Sequence, residues 1–294
     1  VPQITANGIT IEYDEHGEKD APPVLLIMGF GAQMTLWPME FVEAMVERGF
    51  RVIRYDNRDV GLSHKFDGVK APGLIKLTLL GKFGITPKVP YTLSDMANDG
   101  AGVLDALGID KAHIVGASMG GMIAQHFAAK HADRTLSLTS IFSTTGNPKL
   151  PAAKKEAMKV LITRPASLEE DALVAHGMKL SRTIGSPAYP ADEDKLRERV
   201  TASVRRSVYP EGGTRHLSAI VADGDRRAMN AGITASTLVL HGEDDPLVPV
   251  DGGRDTAASI PGAKIKTFPG WGHDLPTEMV QTLADEIAAH AKAA

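Results

Sequence analysis

Residues 8–13 alternate apolar and polar side chains, the two-residue period of a strand with one buried face. Residues 24–28 form a continuous apolar run and residues 51–55 a second, both of strand length. Between these runs, residues 36–48 carry Phe41, Met45 and Val46 at helical spacing, and Gly49 follows as a stop. A second helix is predicted over 93–107, with Thr92 as its N-cap and Asp95 three residues on. A short buried strand at 113–115, a helix running to about Lys130 and a strand at 136–142 continue the series. Strand and helix therefore alternate. That alternation predicts βαβ units in a largely parallel sheet, because parallel neighbours need a crossover that a helix supplies. The first strands are read as an antiparallel edge.

From residue 143 the pattern changes. Helical stretches at 152–162, 168–181 and 192–208 follow one another with no strand between them, which marks an all-helical insertion. Alternation resumes with a strand at 237–240, a helix after Asp251, a strand at 264–268 and a closing helix from Thr277 to about Ala291. The predicted organisation is an α/β core over 1–142 and 233–294, with a mostly parallel central sheet flanked by helices, and a helical cap over 143–232. A chain of 294 residues suits one core with one insertion. Residues 70–83, rich in Leu and Lys, are a smaller excursion and read as a long surface connection rather than a pocket cover.

Composition narrows the function. With 43% hydrophobic and 23% charged residues the chain is globular rather than disordered. The 36 acidic and 32 basic residues are mixed along it, so no concentrated positive field exists to attract nucleic acid. The absence of cysteine removes disulfides, thiolate catalysis and cysteine-ligated metal. The apolar runs are too short to span a bilayer. Residues 1–5 lack the basic start and apolar stretch of a signal peptide, so the expected location is cytoplasmic.

The chemistry gathers at Gly116-Ala117-Ser118-Met119-Gly120, a Gly-x-Ser-x-Gly sequence lying between a predicted strand and a predicted helix. A serine on such a strained turn is exposed for attack, and the small flanking residues let the chain fold back tightly. Its hydroxyl is a poor nucleophile at neutral pH, so a histidine base and a group to orient that base must follow. The strand at 237–240 leads into His241-Gly242-Glu243-Asp244-Asp245-Pro246, where three acids compete. Asp245 is preferred, because Pro246 holds the preceding residue in an extended loop, and Asp244 is the fallback. The strand at 264–268 ends in Pro269-Gly270-Trp271-Gly272-His273, which makes His273 the expected base. His241 is the rival, although it precedes the acid loop. His126, His131, His176 and His290 fall on predicted helices and read as structural or surface residues. An oxyanion needs two fixed backbone donors. These are expected from Met119, directly after the nucleophile, and from Phe30 in Met28-Gly29-Phe30-Gly31.

These motifs, with Tyr55-Asp56-Asn57-Arg58, Gly61 and Ser63, together resemble the α/β-hydrolase superfamily across nearly the whole chain. Many members carry a histidine where Met28 stands here. Residues 54–63 and 270–276 are similar to members that hydrolyse carboxylic esters, the aclacinomycin methylesterases among them. Asp56 and Arg58 are read as fixing the loop beside the oxyanion turn. Members with an aspartate nucleophile are disfavoured, because position 118 is Ser. The resemblance implies a serine esterase acting on a small-molecule ester without a cofactor or metal, with no nucleic acid or membrane partner and with homo-oligomer formation left open. A lactonase, a carbon-carbon hydrolase using the same triad and a slow-turnover ligand-binding receptor are the alternatives. Within the insertion, Met158, Met178, Tyr189, Tyr209 and Met229 are candidates for an apolar pocket that read first as ordinary packing. Arg205 and Arg206 read as solvated helix surface.

Overall fold

The computed structural model describes residues 2–73, 76–77 and 87–294. Its sheet comprises β1 (Gln3–Ala6), β2 (Ile9–His16), β3 (Pro23–Ile27), β4 (Arg51–Tyr55), β5 (Ala112–Ala117), β6 (Thr135–Ile141), β7 (Ser236–Gly242) and β8 (Lys264–Phe268). The spatial order is β1-β2-β4-β3-β5-β6-β7-β8. β1 and β2 run antiparallel, as do β2 and β4, while every later pairing is parallel. The mostly parallel sheet with an antiparallel edge is therefore as the alternation predicted.

Among the described residues, the first half of the chain carries α1 (Met39–Glu47), α2 (Leu93–Ala106) and α3 (Met119–Lys130). Between β6 and β7 come α4 (Lys155–Ile162), α5 (Glu170–Ile184), α6 (Glu193–Arg206), α7 (Pro210–Asp223) and α8 (Arg227–Asn230), with no strand among the described residues there. α9 (Asp251–Ser259) and α10 (Val280–Lys292) complete the fold. Along β3 the side chains alternate faces. Leu25 and Ile27 join one core with residues of α2 and α3, and Val24 and Leu26 join the other with residues of α1 and α10. All four are fully buried, each contributing about 1.5–3 kcal/mol of transfer free energy. α5 and α6 carry a small core of their own, built from Val174, Met178 and Leu196.

Local chemistry explains where the elements start. Thr92 accepts a hydrogen bond from Asp95 N at 3.1 Å while Asp95 Oδ2 accepts from Thr92 N at 2.8 Å, so the expected cap is a reciprocal one. The helix expected from residue 36 begins at Met39, because Pro38 takes the N-cap and residues 34–36 form a separate 3-10 turn. β1 and α7 were not foreseen. α7 contains Gly212 and Gly213, which weaken helix propensity, yet a Cβ at Gly212 would collide with the Asp59 carbonyl, so the glycine lets the helix lie directly on that loop. Most of the 70–83 excursion lies outside the described residues.

The strand order also positions the site. From β3 the chain moves outward to β4 and then recrosses to β5 on the other side. Loops leaving β3 and β5 therefore diverge, and a crevice opens at their carboxyl ends.

Candidate active site

Ser118 occupies the turn between β5 and α3 with φ 58° and ψ −120°, a left-handed conformation costing a side-chain-bearing residue about 1–3 kcal/mol. The surroundings hold it there. Ser118 N donates to Ile141 O at 2.9 Å, and Ser143 Oγ donates to Ser118 O at 2.8 Å. A Cβ at Gly120 would strike the Ile27 carbonyl, and one at Gly116 would strike the Gly120 carbonyl, so glycine is required at the first for α3 to lie against the end of β3 and at the second for the tight crossing of β5 and α3.

His273 reaches this turn from the loop after β8. Its Nε2 lies 2.9 Å from Ser118 Oγ, and its Nδ1 lies 2.6 Å from Asp245 Oδ2. An ionised carboxylate only accepts, so Nδ1 carries the proton and Nε2 is left to accept from the Ser118 hydroxyl. Asp245 is 5% exposed and His273 8% exposed, so the pair lies largely out of water. Asp245 Oδ1 accepts from Leu247 N and Val248 N, both at 2.8 Å, which fixes the carboxylate plane.

The rival residues lie elsewhere. Asp244 is exposed and accepts from Gly270 N at 2.7 Å, while Glu243 accepts from Thr267 Oγ1 at 2.7 Å. His241 is fully buried behind Asp245, 3.6 Å from its Oδ2, and donates from Nε2 to Val248 O at 2.8 Å. Burial pushes its pKa down, so it stays neutral. Neither His241 nor Asp244 is bonded to Ser118.

The turn at residues 28–31, expected to supply an oxyanion donor, passes close to Ser118. A Cβ at Gly29 would come within 3.0 Å of Ser118 Cβ, so glycine there permits the approach. Gly31 takes φ 61°, and Asn57 Nδ2 ties the Met28 carbonyl at 2.8 Å. Met119 N and Phe30 N, the two expected donors, bond to no other backbone oxygen among the described residues.

Several contributors were not foreseen. The Phe142 ring lies 4.6 Å from the His273 ring, at a residue with φ 33°. The last residue of α5 and the loop after it hold the histidine loop in place. His273 N donates to Ile184 O at 2.8 Å and Gly272 N to Ser186 Oγ at 2.9 Å. Ser186 also donates to Asp274, whose carboxyl burial pushes above its usual range. Arg206 corrects the sequence reading: it is not solvated surface. Its Nη1 donates to Asp56 Oδ2 at 2.7 Å and to Gln33 Oε1 at 2.6 Å, tying α6 to the loop after β4. Arg205 is on the surface, paired with Glu170. Asp56 accepts from Met34 N at 2.7 Å and Leu62 N at 2.9 Å, and Arg58 pairs with Asp99, so both residues fix their loop as expected.

Ser118 and His273 line a cavity of about 640 Å³. Phe30, Met122 and Phe142 wall it from the sheet side, and Leu161, Leu180 and Leu217 from the helical insertion. Met158 also lines it. Met178 instead packs in the α5–α6 core, Tyr189 against the sheet core, and Tyr209 bonds Asp67 at 2.7 Å. An apolar cavity with a polar reactive floor suits a largely apolar small molecule. No helix among the described residues is long and apolar enough to cross a membrane.

A family model described as alpha/beta hydrolase fold matches residues 22–278. The rhodomycin D methylesterase DauP of Streptomyces sp. (strain C5) is 30% identical, the match covering 99% of this chain and 98% of the relative. The crystal structure of the enol-lactonase from Burkholderia xenovorans LB400 superposes with a TM-score of 0.75 at 26% identity, over 99% of this chain and 100% of that one. The meta-cleavage product hydrolase from Pseudomonas fluorescens IP01, complexed with acetates, gives 0.79 at 20% identity over 100% and 98%.

Proposed function

The chain belongs to the α/β-hydrolase fold family, and on that footing we propose that it is a serine hydrolase that cleaves carboxylic esters through an acyl-enzyme. The observation that carries this reading is the chain of hydrogen bonds from Ser118 through His273 to Asp245 at the floor of an apolar cavity. The full-length likeness to a methylesterase supports an ester as the bond cleaved. Residues 143–232 serve as the cap that supplies the far wall of the substrate pocket.

The cycle uses protein groups alone. His273 Nε2 takes the Ser118 proton as Oγ attacks the ester carbonyl, and Asp245 stabilises the imidazolium that results. The N–H groups of Met119 and Phe30 hold the oxyanion, with the dipole of α3 pointing its positive end at the same place. As the tetrahedral intermediate collapses, Nε2 returns its proton to the departing alcohol. Water then enters, loses a proton to Nε2 and attacks the acyl carbon, and the second collapse hands that proton back to Ser118.

Hydrolysis of p-nitrophenyl esters from acetate to decanoate and of aryl methyl esters, run beside mass spectrometry after fluorophosphonate treatment, tests this. Steady turnover with one adduct on Ser118 is expected, and Ser118→Ala should lose both while keeping its thermal midpoint. Full activity in Ser118→Ala would remove the mechanism. A Ser118 adduct with inert esters but turnover of lactones or diketones would keep the triad and change the bond cleaved.

A further inference from the structure

The oxyanion turn has little structure of its own. Two glycines flank Phe30, and its internal bond, Ala32 N to Gly29 O, spans 3.3 Å. Glycines leave such a turn many conformations to lose, so something outside it must fix the direction of its donors. That anchor comes from α7. His216 is fully buried, its Nδ1 accepts from Gly31 N at 3.3 Å, and its Nε2 donates to Arg58 O at 2.8 Å. The ring meets Phe30 edge-on at 6.3 Å and Tyr91 at 6.2 Å. A second anchor lies at the other end of the turn. Gln33 Nε2 donates to Ser203 O at 2.7 Å and Ser207 O at 3.0 Å, both at the end of α6.

We infer that His216 is a positioning residue for the oxyanion hole: by holding the Gly31 N–H it fixes the peptide unit that follows Phe30 and, through the Phe30 Cα, restrains the aim of the Phe30 N–H. The inference rests on the esterase reading above. The two hydrogen bonds require one tautomer, with the proton on Nε2 and the lone pair on Nδ1. Burial pushes the His216 pKa down to about 4, opposed by the Arg58 carbonyl and Asp59 and reinforced by Arg58 and Arg215. The ring therefore stays neutral at neutral pH, and both hydrogen bonds persist there. The anchor belongs to a helix of the insertion, so the catalytic donor is correct only when α7 is seated on the core.

Three variants separate positioning from packing. His216→Phe keeps the ring and removes both bonds, His216→Gln reaches towards Arg58 O but offers nothing to Gly31, and His216→Asn puts a carbonyl oxygen near the place of Nδ1. Each is compared with wild type for kcat, KM, thermal midpoint and inhibition by a trifluoromethyl ketone, which Ser118 would capture as an oxyanion-bearing hemiketal. The Phe and Gln variants should lose about 10- to 100-fold in kcat and a similar factor in ketone affinity, with KM changed less than about threefold. The Asn variant should recover most of both. If Phe fails to fold, the Asn and Gln comparison decides alone. Equal kcat and ketone affinity in Asn and Gln, or a kcat loss with undiminished ketone affinity, would overturn the inference while wild-type turnover leaves the esterase reading standing. A wild type with neither turnover nor a Ser118 adduct would overturn both.

Discussion

The two oxygens of Asp245 have separate duties. Oδ1 is taken by the amides of Leu247 and Val248, and Oδ2 faces His273 Nδ1. An amide at this position would be pulled two ways. Its oxygen would satisfy the backbone donors and leave its NH₂ facing His273, which would force Nδ1 to accept and move the ring proton to Nε2. The ring could then no longer accept from Ser118. Asp245→Asn is therefore expected to lower kcat by about 10³- to 10⁴-fold, as loss of the correct tautomer does in serine proteases, with a urea midpoint close to wild type. A loss under tenfold, measured with a short p-nitrophenyl ester, would assign the orienting role to another acid. Asp244 is a poor substitute, since its carboxylate is turned to Gly270 N. The sequence separated these neighbours through Pro246, which pins the residue before it. It gave no means of knowing that His241 would lie behind the carboxylate, because that depends on how β7 and α9 pack.

Elements of the insertion grip the loop after β4 through buried ion pairs. Arg215 of α7 donates to Asp59 Oδ2 at 2.7 Å and Oδ1 at 2.9 Å, with both side chains almost wholly buried. Burial alone would raise the Asp59 carboxyl, but bonds from Arg215, Tyr91 and Phe66 N outweigh it and hold it below its usual value. Its contribution to stability is thus complete above the unfolded-state pKa near 4 and disappears as pH falls through the lower folded value. Arg215→Ala leaves a buried carboxylate without its partner and should cost about 3–5 kcal/mol in urea unfolding at pH 7, the deficit shrinking below about pH 4. An unchanged midpoint would mean that water replaces the guanidinium. These contacts mark the limit of what the sequence shows. The strands other than β1, α2 and its cap, and the chain order of Ser118, Asp245 and His273 rest on local period and spacing, and they were legible. Arg206 and Arg215 meet partners 150 and 156 positions away, and nothing in a helical stretch of charged residues separates Arg206, which is partly buried against Asp56, from its exposed neighbour Arg205. α7 was hidden for a related reason: its paired glycines weaken the helix locally, and the close contact with Asp59 that requires one of them is tertiary.

For the whole molecule, the insertion and the sheet each supply one wall of the same cavity, so substrate size reports on their fit. Phe30 and Phe142 face Leu161 and Leu217 across about 640 Å³, with Ser118 and His273 at the floor. Each acyl methylene that leaves water for such walls gains about 0.8 kcal/mol when fully buried, close to fourfold in kcat/KM. Open sides and imperfect contact reduce this, so an average gain of about two- to fourfold per methylene is expected along the p-nitrophenyl series until the acyl chain fills the space, followed by a plateau. Replacing Leu217 by Arg would place a charge in the wall contributed by α7. That change should flatten the rise for long chains and leave acetate hydrolysis within about threefold, because the acetyl group needs only the floor. The two profiles together separate a pocket closed by the insertion from one formed by the sheet loops alone. In the second case the Arg variant would follow the wild-type curve at every chain length, and α7 would have no part in selecting the acyl group.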